Sequence, residues 1–377
     1  VAAHSASAPA IPISLEEVDP LPRASYTRLA GVWIRQGGEA VGVDALETPA
    51  TILIVKADAT SFDGEAAIKQ GRIEVRPIGV KGSVEKIASP PGRRPRQING
   101  SDLNTRYVVW TEVESVDLGV SPWVLFAYDR KTGMTRKLTE APKVDGRTPP
   151  PPPGYTGPVV AGGRVFWAQV GGKFGAEAVD IWGCEIGNCL PKVVMRGAAF
   201  PAVTSTELYG VRSARYEGVR DSRRITSATI SKVRFGGGEP AAVKQVPLGE
   251  QDTFTGFAAS DAGLAWIVGR KKSPEEQRMY LTVTEDGNET TFGSSANGGF
   301  GYPVMTDRFV AWAETSGNAP GELGGYLYDL ESKKLNSIGN TLGLYGIEGS
   351  GDLLGWQESE TPQARPEDIE YVIVRLR

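Results

Sequence analysis

Apolar and polar positions alternate with a period of two over short runs along the chain, and glycine, asparagine and aspartate separate the runs. That is the pattern of β-strands joined by tight turns. Seven short apolar segments share one form: Gly31-Val32-Trp33, Tyr107-Val108-Val109-Trp110, Arg164-Val165-Phe166-Trp167, Leu208-Tyr209-Gly210, Leu264-Ala265-Trp266, Phe309-Val310-Ala311-Trp312 and Leu353-Leu354-Gly355-Trp356. Six end in tryptophan, and in the fourth Gly210 takes that place beside Tyr209. They recur at intervals of roughly 40–60 residues after a longer first interval. Proline stands nine positions before the key residue in three of them, at Pro158, Pro201 and Pro303.

The stretch after each segment repeats as well. A variable loop leads to an alternating strand, a turn and another strand, as in Trp123–Tyr128, Asp129–Gly133 and Met134–Thr139. The fifth and sixth copies give Met279–Thr284 with Glu289–Phe292, and Gly325–Leu330 with Leu335–Ile338. Each unit is therefore four strands, A to D, with the tryptophan on B. Four-stranded units of roughly 40–50 residues are propeller blades. The pattern predicts an all-β chain, a seven-bladed β-propeller forming a single domain over 11–377 behind a flexible tail at 1–10. The long first interval is read as an insertion over 46–64. The last blade, with strands at 352–356 and 369–376, ends one strand short. The spare segment Ile11–Val18 is expected to pair with the C-terminal strand, close the ring and remove exposed edges. The tryptophans are expected to wedge between neighbouring sheets.

These units resemble the TolB-like (PD40-type) propeller repeats, which carry an apolar strand ending in Trp or Phe, an Asp-x-x-x-Gly turn and a leucine-threonine ending. Tyr128–Gly133 through Leu138-Thr139 matches best, and Tyr328–Ser332 comes next. The resemblance covers roughly residues 24 to 376 as a repeat pattern. It implies the propeller fold and a periplasmic or secreted scaffold. The chain departs from the family in having no separate N-terminal domain of the TolB kind. It also has Thr306-Asp307-Arg308 and Ser260-Asp261-Ala262 where an Asp-Gly-Lys turn would stand. In fold, export and composition the chain is also similar to secreted seven-bladed propellers of actinobacteria, of the dispase autolysis-inducing kind. That likeness implies action on, or modification by, other secreted proteins, including transglutaminase cross-linking.

Composition narrows the chemistry. The 377 residues carry a formal charge of −4, which argues against a general nucleic-acid binder. No apolar run is long enough for a membrane-spanning helix. The one histidine, His4, lies in the polar tail, so histidine-based triads, dyads and metal sites are not expected. No G-x-S-x-G, H-E-x-x-H, P-loop or EF-hand pattern occurs, so no catalytic residue, cofactor or metal is assigned. Cys184 and Cys189 flank a turn containing Gly187-Asn188 and are expected to form a structural disulfide, which suits an oxidising compartment. The small, polar N-terminus with Ala6-Ser7-Ala8 fits the end of a signal peptide.

Strand order places the B–C and D–A loops on one face. The B–C loops are expected at 36–49, 114–122, 212–224, 271–277, 315–324 and 358–368, and long loops on a rigid scaffold favour binding. Arg93, Arg94 and Arg96 form a basic cluster there that can grip carboxylate or another anion. Tyr155, Phe254, Phe300 and Tyr302, at D–A loop ends, are candidates to stack on sugars or anchor a protein. The function expected is an exported, non-enzymatic scaffold that recognises another secreted or envelope protein, or an envelope polysaccharide, through this face. Two alternatives stand beside it. One is a carbohydrate-active lyase or hydrolase using loop carboxylates and tyrosines at the channel mouth, which requires paired ionisable groups in a deep pocket. The other is a transglutaminase substrate, with Gln36, Gln277, Gln357 or Gln363 as acceptor.

Overall fold

The computed structural model describes residues 11–12, 18–33, 35–36, 39–47, 51–58, 72–78, 83–87, 97–113, 122–143, 157–173, 176–212, 227–273, 276–295, 297–315, 323–340, 346–358 and 368–377. The strands assemble into seven antiparallel sheets that follow one another round a ring. Blade 1 holds Glu39–Glu47, Thr51–Asp58, Arg72–Pro77 and Glu85–Ile87, and blade 2 runs from Gln97–Leu103 to Met134–Glu140. Blade 3 runs from Val159–Ala161 to Lys192–Met195, blade 4 from Ala198–Val203 to Ala241–Pro247, and blade 5 from Thr253–Ser260 to Asn288–Gly293. Blade 6 spans Gly299–Phe300 to Leu335–Asn340, and blade 7 combines Ile347–Ser350, Leu353–Glu358, Glu370–Leu376 and Tyr26–Trp33. The first strand of each blade touches the first strand of the next all the way round, so these seven strands line a central channel.

The seams between blades are the core. Trp110 packs with Leu53, Val75 and Phe126 between blades 1 and 2, and Trp167 with Leu125 and Val160 between blades 2 and 3. Trp266 and Trp356 fill later seams, while Trp312 lies among Phe292, Phe300 and Tyr326. Wide, flat rings suit wedge-shaped gaps between twisted sheets, where each buries a large apolar area. In blade 4 the gap is filled differently. A Cβ added at Gly210 would lie 2.4 Å from Ile181 Cδ1 and 3.0 Å from Met195 Sδ, so blade 3 supplies the bulk that tryptophan gives elsewhere.

The turns obey their local chemistry. At the Asp129–Gly133 turn, Asp129 Oδ1 accepts from Lys131 N at 2.9 Å, and Gly133 takes the left-handed conformation at φ 70°. In the blade 6 copy Asp329 Oδ1 accepts from Ser332 N, and Lys333 occupies the left-handed position.

Several expectations about the start of the chain are corrected. The strand that completes blade 7 is Tyr26–Trp33, antiparallel to Glu370–Leu376, not Ile11–Val18. Ile11–Pro12 instead pairs in parallel with Phe292-Gly293 on the outer strand of blade 5. Next, Leu21 N donates to Ser337 O and Ser337 N to Asp19 O, both at 2.8 Å, on the outer strand of blade 6. The N-terminal segment thus meets the outer edges of blades 5, 6 and 7 in turn, covering backbone groups that would otherwise template foreign strands. Consequently Gly31-Val32-Trp33 is an outer strand, and Trp33 is 44% exposed. The region expected as an insertion contains blade 1's own paired strands, and residues 39–47 form its inner strand instead of a B–C loop. Its second strand carries Ile52-Leu53-Ile54-Val55, aliphatic where the other blades carry an aromatic, so the repeat signal is absent there.

Candidate functional site

Three inner strands carry carboxyl groups. Asp44 comes from blade 1, Asp102 from blade 2 and Glu348 from blade 7, and each side chain is half-buried. Bulges help to place the first two. Register slips between Val43 and Ala45, and between Ile98 and Ser101, and a bulge re-aims the side chains beside it. Ser101 Oγ donates to Asp44 Oδ2 at 2.6 Å, joining blades 1 and 2. Asp102 accepts from Val160 N at 2.7 Å and Leu103 N at 2.8 Å, joining blades 2 and 3.

Glu348 faces a different neighbour. Its register partner is Gly355 on the second strand of blade 7. A Cβ at Gly355 would stand 2.5 Å from Tyr371 Cε1 and 2.7 Å from its hydroxyl, so the missing side chain lets the tyrosine ring cross the sheet toward the inner strand. Tyr371 is 2% exposed, and its hydroxyl, beside the Glu348 backbone, makes no well-formed hydrogen bond.

The electrostatics arise from this crowding. Desolvation pushes the Asp102 carboxyl up to about 7 against the pull of its two backbone donors, and Glu47 adds to the rise. Glu348 is raised well above the ordinary carboxylate range by desolvation and then by the charges of Asp44 and Asp102. Asp44 is raised by desolvation, with the Ser101 hydrogen bond opposing it. Tyr371 is raised by desolvation and by Glu348 and Asp44. The groups therefore hold protons where isolated carboxylates would have lost them. The sequence does not signal this cluster, because Asp44, Asp102 and Glu348 share no local motif and meet only through inner-strand neighbours.

The residues singled out from the sequence are scattered. Arg93, Arg94, Arg96 and Tyr155 lie outside the described residues. Phe254 is fully buried against Phe200, with ring centroids 5.7 Å apart, and Phe300 is buried against Trp312. Both rings belong to the blade cores, since the D–A connections pack inward at these points, and neither is presented on the surface. Tyr302 is half-buried beside Gly256. Gln36, Gln277 and Gln357 sit in strands, and Gln363 lies outside the described residues. Cys184 and Cys189 form the expected disulfide, with Cα atoms 5.0 Å apart.

That disulfide loop walls a groove of about 470 Å³ between blades 3 and 4, on the face of the A–B and C–D turns. Phe166 and Phe235 stack along its floor, centroids 5.7 Å apart and planes 25° apart. Gly183 makes room for this, because a Cβ there would lie 2.6 Å from Phe166 Cδ1. Leu190, 74% exposed, stands at the rim. Arg164, Lys192 and Arg234 surround the groove, and Arg164 is bound to Glu185 at 3.0 Å. The lining is apolar at the centre, and its edge carries Arg164, Lys192 and Arg234 together with the acid Glu185.

No protein-family model and no curated protein matches the chain. Solved structures do match. A prolyl endopeptidase structure aligns over 90% of this chain and 50% of its own, at 10% identity and a TM-score of 0.54. The β-propeller domain of the Trilobed protease from Pyrococcus furiosus aligns over 71% of this chain and 80% of its own, at 9% identity and a TM-score of 0.47. TolB from Acinetobacter baumannii aligns over 79% of each chain, at 8% identity and a TM-score of 0.42. The chain thus spans half the length of the prolyl endopeptidase chain it matches. At such identities the likeness is one of fold, and the class it defines is the β-propeller.

Proposed function

We propose that this chain is a non-enzymatic binding propeller of an oxidising, extracytoplasmic compartment. It holds an extended partner segment that is apolar at its centre and acidic at its flanks. The observation that carries this is the groove between blades 3 and 4, where stacked Phe166 and Phe235 lie between Arg164, Lys192 and Arg234. Aromatic floors with arginine at the edge are the usual make-up of protein-binding surfaces. The disulfide in the groove wall supports the compartment.

Fluorescence polarisation with acidic-aliphatic peptides, against basic scrambled controls, tests the reading. Phe235→Ser should weaken the acidic peptides at least tenfold. Equal binding of both peptide sets, or no effect of the substitution, overturns the groove as the site. The long-loop face remains the second surface of the proposal. Loss of a retained envelope protein or polymer in an Arg93→Ala, Arg94→Ala, Arg96→Ala variant, with the groove variant unaffected, would place recognition there.

A carbohydrate-active enzyme is the second reading, favoured by the raised carboxyl groups of Asp44, Asp102 and Glu348 on the inner strands. Release of reducing ends or unsaturated sugars from envelope polysaccharides, lost in Glu348→Gln, would establish it.

A further inference from the structure

We propose that the groove between blades 3 and 4 captures the free C-terminus of a partner chain. The terminal apolar side chain lies on Phe166 and Phe235, and the terminal carboxylate lies between Arg234, Lys192 and the glycine turn at 236–238. The proposal rests on the groove being the binding site argued above, and it names the part of a partner that this site reads.

Two features of the groove point to a carboxylate. The first is a surplus of cations. Arg164, Lys192 and Arg234 line the groove, and Arg164 is committed to Glu185, the acid in the lining, at 3.0 Å. Among the described residues Lys192 and Arg234 make no hydrogen bond or ion pair. Glu207, opposite Arg234 on the neighbouring strand, is already held by Lys232 at 2.7 Å. Glu239 follows the glycine turn but is not among the lining residues. The second feature is the turn itself. Phe235 runs directly into three glycines, of which Gly237 and Gly238 line the groove with φ 98° and 128°, conformations that favour glycine. Gly236 is not in that region, and a Cβ at any of the three would meet nothing within 4 Å. Neither the backbone nor crowding inside the protein therefore calls for glycine at 236, whereas a bare lip lets a ligand approach the backbone closely. Gly237 N donates to Arg234 O at 2.9 Å and closes the turn, while the N–H groups of Gly236 and Gly238 make no hydrogen bond among the described residues. Turn N–H groups of this kind form anion-binding concavities.

The order of these parts along the chain selects the ligand. Arg234, Phe235 and the glycines are neighbours in sequence, so cation, apolar floor and N–H donors follow one another at Cα steps of about 3.8 Å. In a C-terminal residue the carboxylate and the side chain leave the same Cα, so one residue fills both places. Aspartate or glutamate carries its carboxylate at the end of the side chain and leaves the stacked rings, 5.7 Å apart, to another residue. A phosphate is served less well, because no helix follows the turn to add the dipole of its N-terminus. Leu190, 74% exposed at the rim, offers a further apolar contact to the residues before the terminus. Capture of a terminal carboxylate by turn N–H groups is an established mode of peptide recognition, and a guanidinium adds a charge-assisted bond to it.

Fluorescence polarisation at pH 7 with one labelled peptide in three forms tests the proposal. The peptide is glutamate, serine, valine and leucine in that order. It ends as a free acid, as an amide, or as an amide after one added aspartate, which moves the carboxylate onto a side chain. The free acid should bind about tenfold tighter than the other two forms, as a charge-assisted hydrogen bond allows. Arg234→Ala should bring the free acid down to the level of the amide, and Lys192→Ala should weaken it about threefold. Both side chains are exposed, so both variants should keep the fold, which circular dichroism checks. Phe235→Ser should weaken all three forms and leave the preference for the free acid in place. Equal binding of acid and amide, each weakened by Phe235→Ser, overturns capture of a terminus and leaves the groove reading standing. So does an aspartate form that binds as tightly as the free acid. A preference for the free acid that survives Arg234→Ala and Lys192→Ala together also overturns it, since the carboxylate then sits elsewhere. No binding of any form overturns the groove reading and this proposal with it.

Discussion

Ser101 Oγ donates a 2.6 Å hydrogen bond to Asp44 Oδ2 across the seam between blades 1 and 2. Inner strands of a propeller meet edge to edge round the channel, so their contacts are chiefly between side chains. A polar bond here fixes the relative height of two blades as well as the direction of one carboxyl group. The same hydroxyl opposes the desolvation that raises Asp44. Ser101→Ala should therefore act twice. Stability at neutral pH should fall by ~1–3 kcal/mol, the cost of stranding a buried acceptor. Asp44 should titrate at still higher pH, read from its carboxyl carbon shift. An unchanged denaturation midpoint with an unchanged titration would show that the bond contributes nothing in solution.

Gly355 and Tyr371 form a second coupled pair. The ring occupies the space that any Cβ at 355 would need, the shortest approach being 2.5 Å. Gly355→Ala should cost ~1–3 kcal/mol, as overpacking of a dense core does. Removing the ring first should relieve that clash. A double-mutant cycle with Tyr371→Ala should thus show a coupling of at least ~1 kcal/mol, because the two positions share one volume. Strict additivity in urea denaturation would mean that the ring leaves the Gly355 face in solution.

Architecture was more legible in the sequence than the site was, and the residues show why. Trp110, Trp167, Trp266, Trp312 and Trp356 each mark the second strand of a blade, because a seam needs a large flat filler at the same place every time. A further regularity could have been read beside them. Glu or Gln stands two positions after Trp110, Trp167, Trp312 and Trp356, and Glu112 and Gln169 accept from the indole nitrogens at 3.1 and 3.3 Å. Trp33 misled because an outer strand with one packed side can carry the same apolar triplet. Blade 1 was hidden because Ile52-Leu53-Ile54 fills its seam without an aromatic. Asp44, Asp102 and Glu348 were illegible for a deeper reason. Their meeting depends on bulges and on which strands are neighbours after closure, and neither leaves a local pattern.

The first segment of the chain seals three blades, and its removal should be felt in stages. Deleting residues 1–21 removes the strand on Phe292-Gly293 and the two 2.8 Å bonds to Ser337. At ~1 kcal/mol for each lost backbone bond, a loss of a few kcal/mol is expected, with new unpaired edges on blades 5 and 6. Differential scanning fluorimetry should show a lower Tm, and light scattering a faster onset of aggregation. Deleting residues 1–33 also takes the outer strand of blade 7 and should abolish the folded state. A protein that folds as well without residues 1–33 would mean that Glu370–Leu376 needs no partner.

Acidity should stabilise this protein over a window where most proteins are indifferent. Asp102 titrates at about 7 when folded, against an ordinary value of 3.8. The folded state therefore binds a proton between these values that the unfolded chain has lost. By linkage, the contribution of Asp102 is fully present below the unfolded value and is lost as pH rises through the folded one, with a limiting slope of ~1.4 kcal/mol per pH unit. The groups facing it act in the same sense. Asp44 from blade 1 and Glu348 from blade 7 are both raised, and Tyr371 stays protonated throughout. Glu47 is raised by desolvation, although Arg130 opposes it. Carboxylates lowered by ion pairs, Glu74 beside Arg76 and Glu207 beside Lys232, act oppositely, but only below about pH 4.5, the ordinary glutamate value. Stability measured by urea denaturation should thus rise as pH falls from 8 to 5, and decline only in stronger acid. Asp102→Asn should flatten this rise by removing the proton that drives it, and Glu348→Gln should flatten it further. A profile that is level from pH 5 to 8 in the unmodified chain would show that the carboxyl groups are already compensated, by water or by a cation, in the folded protein.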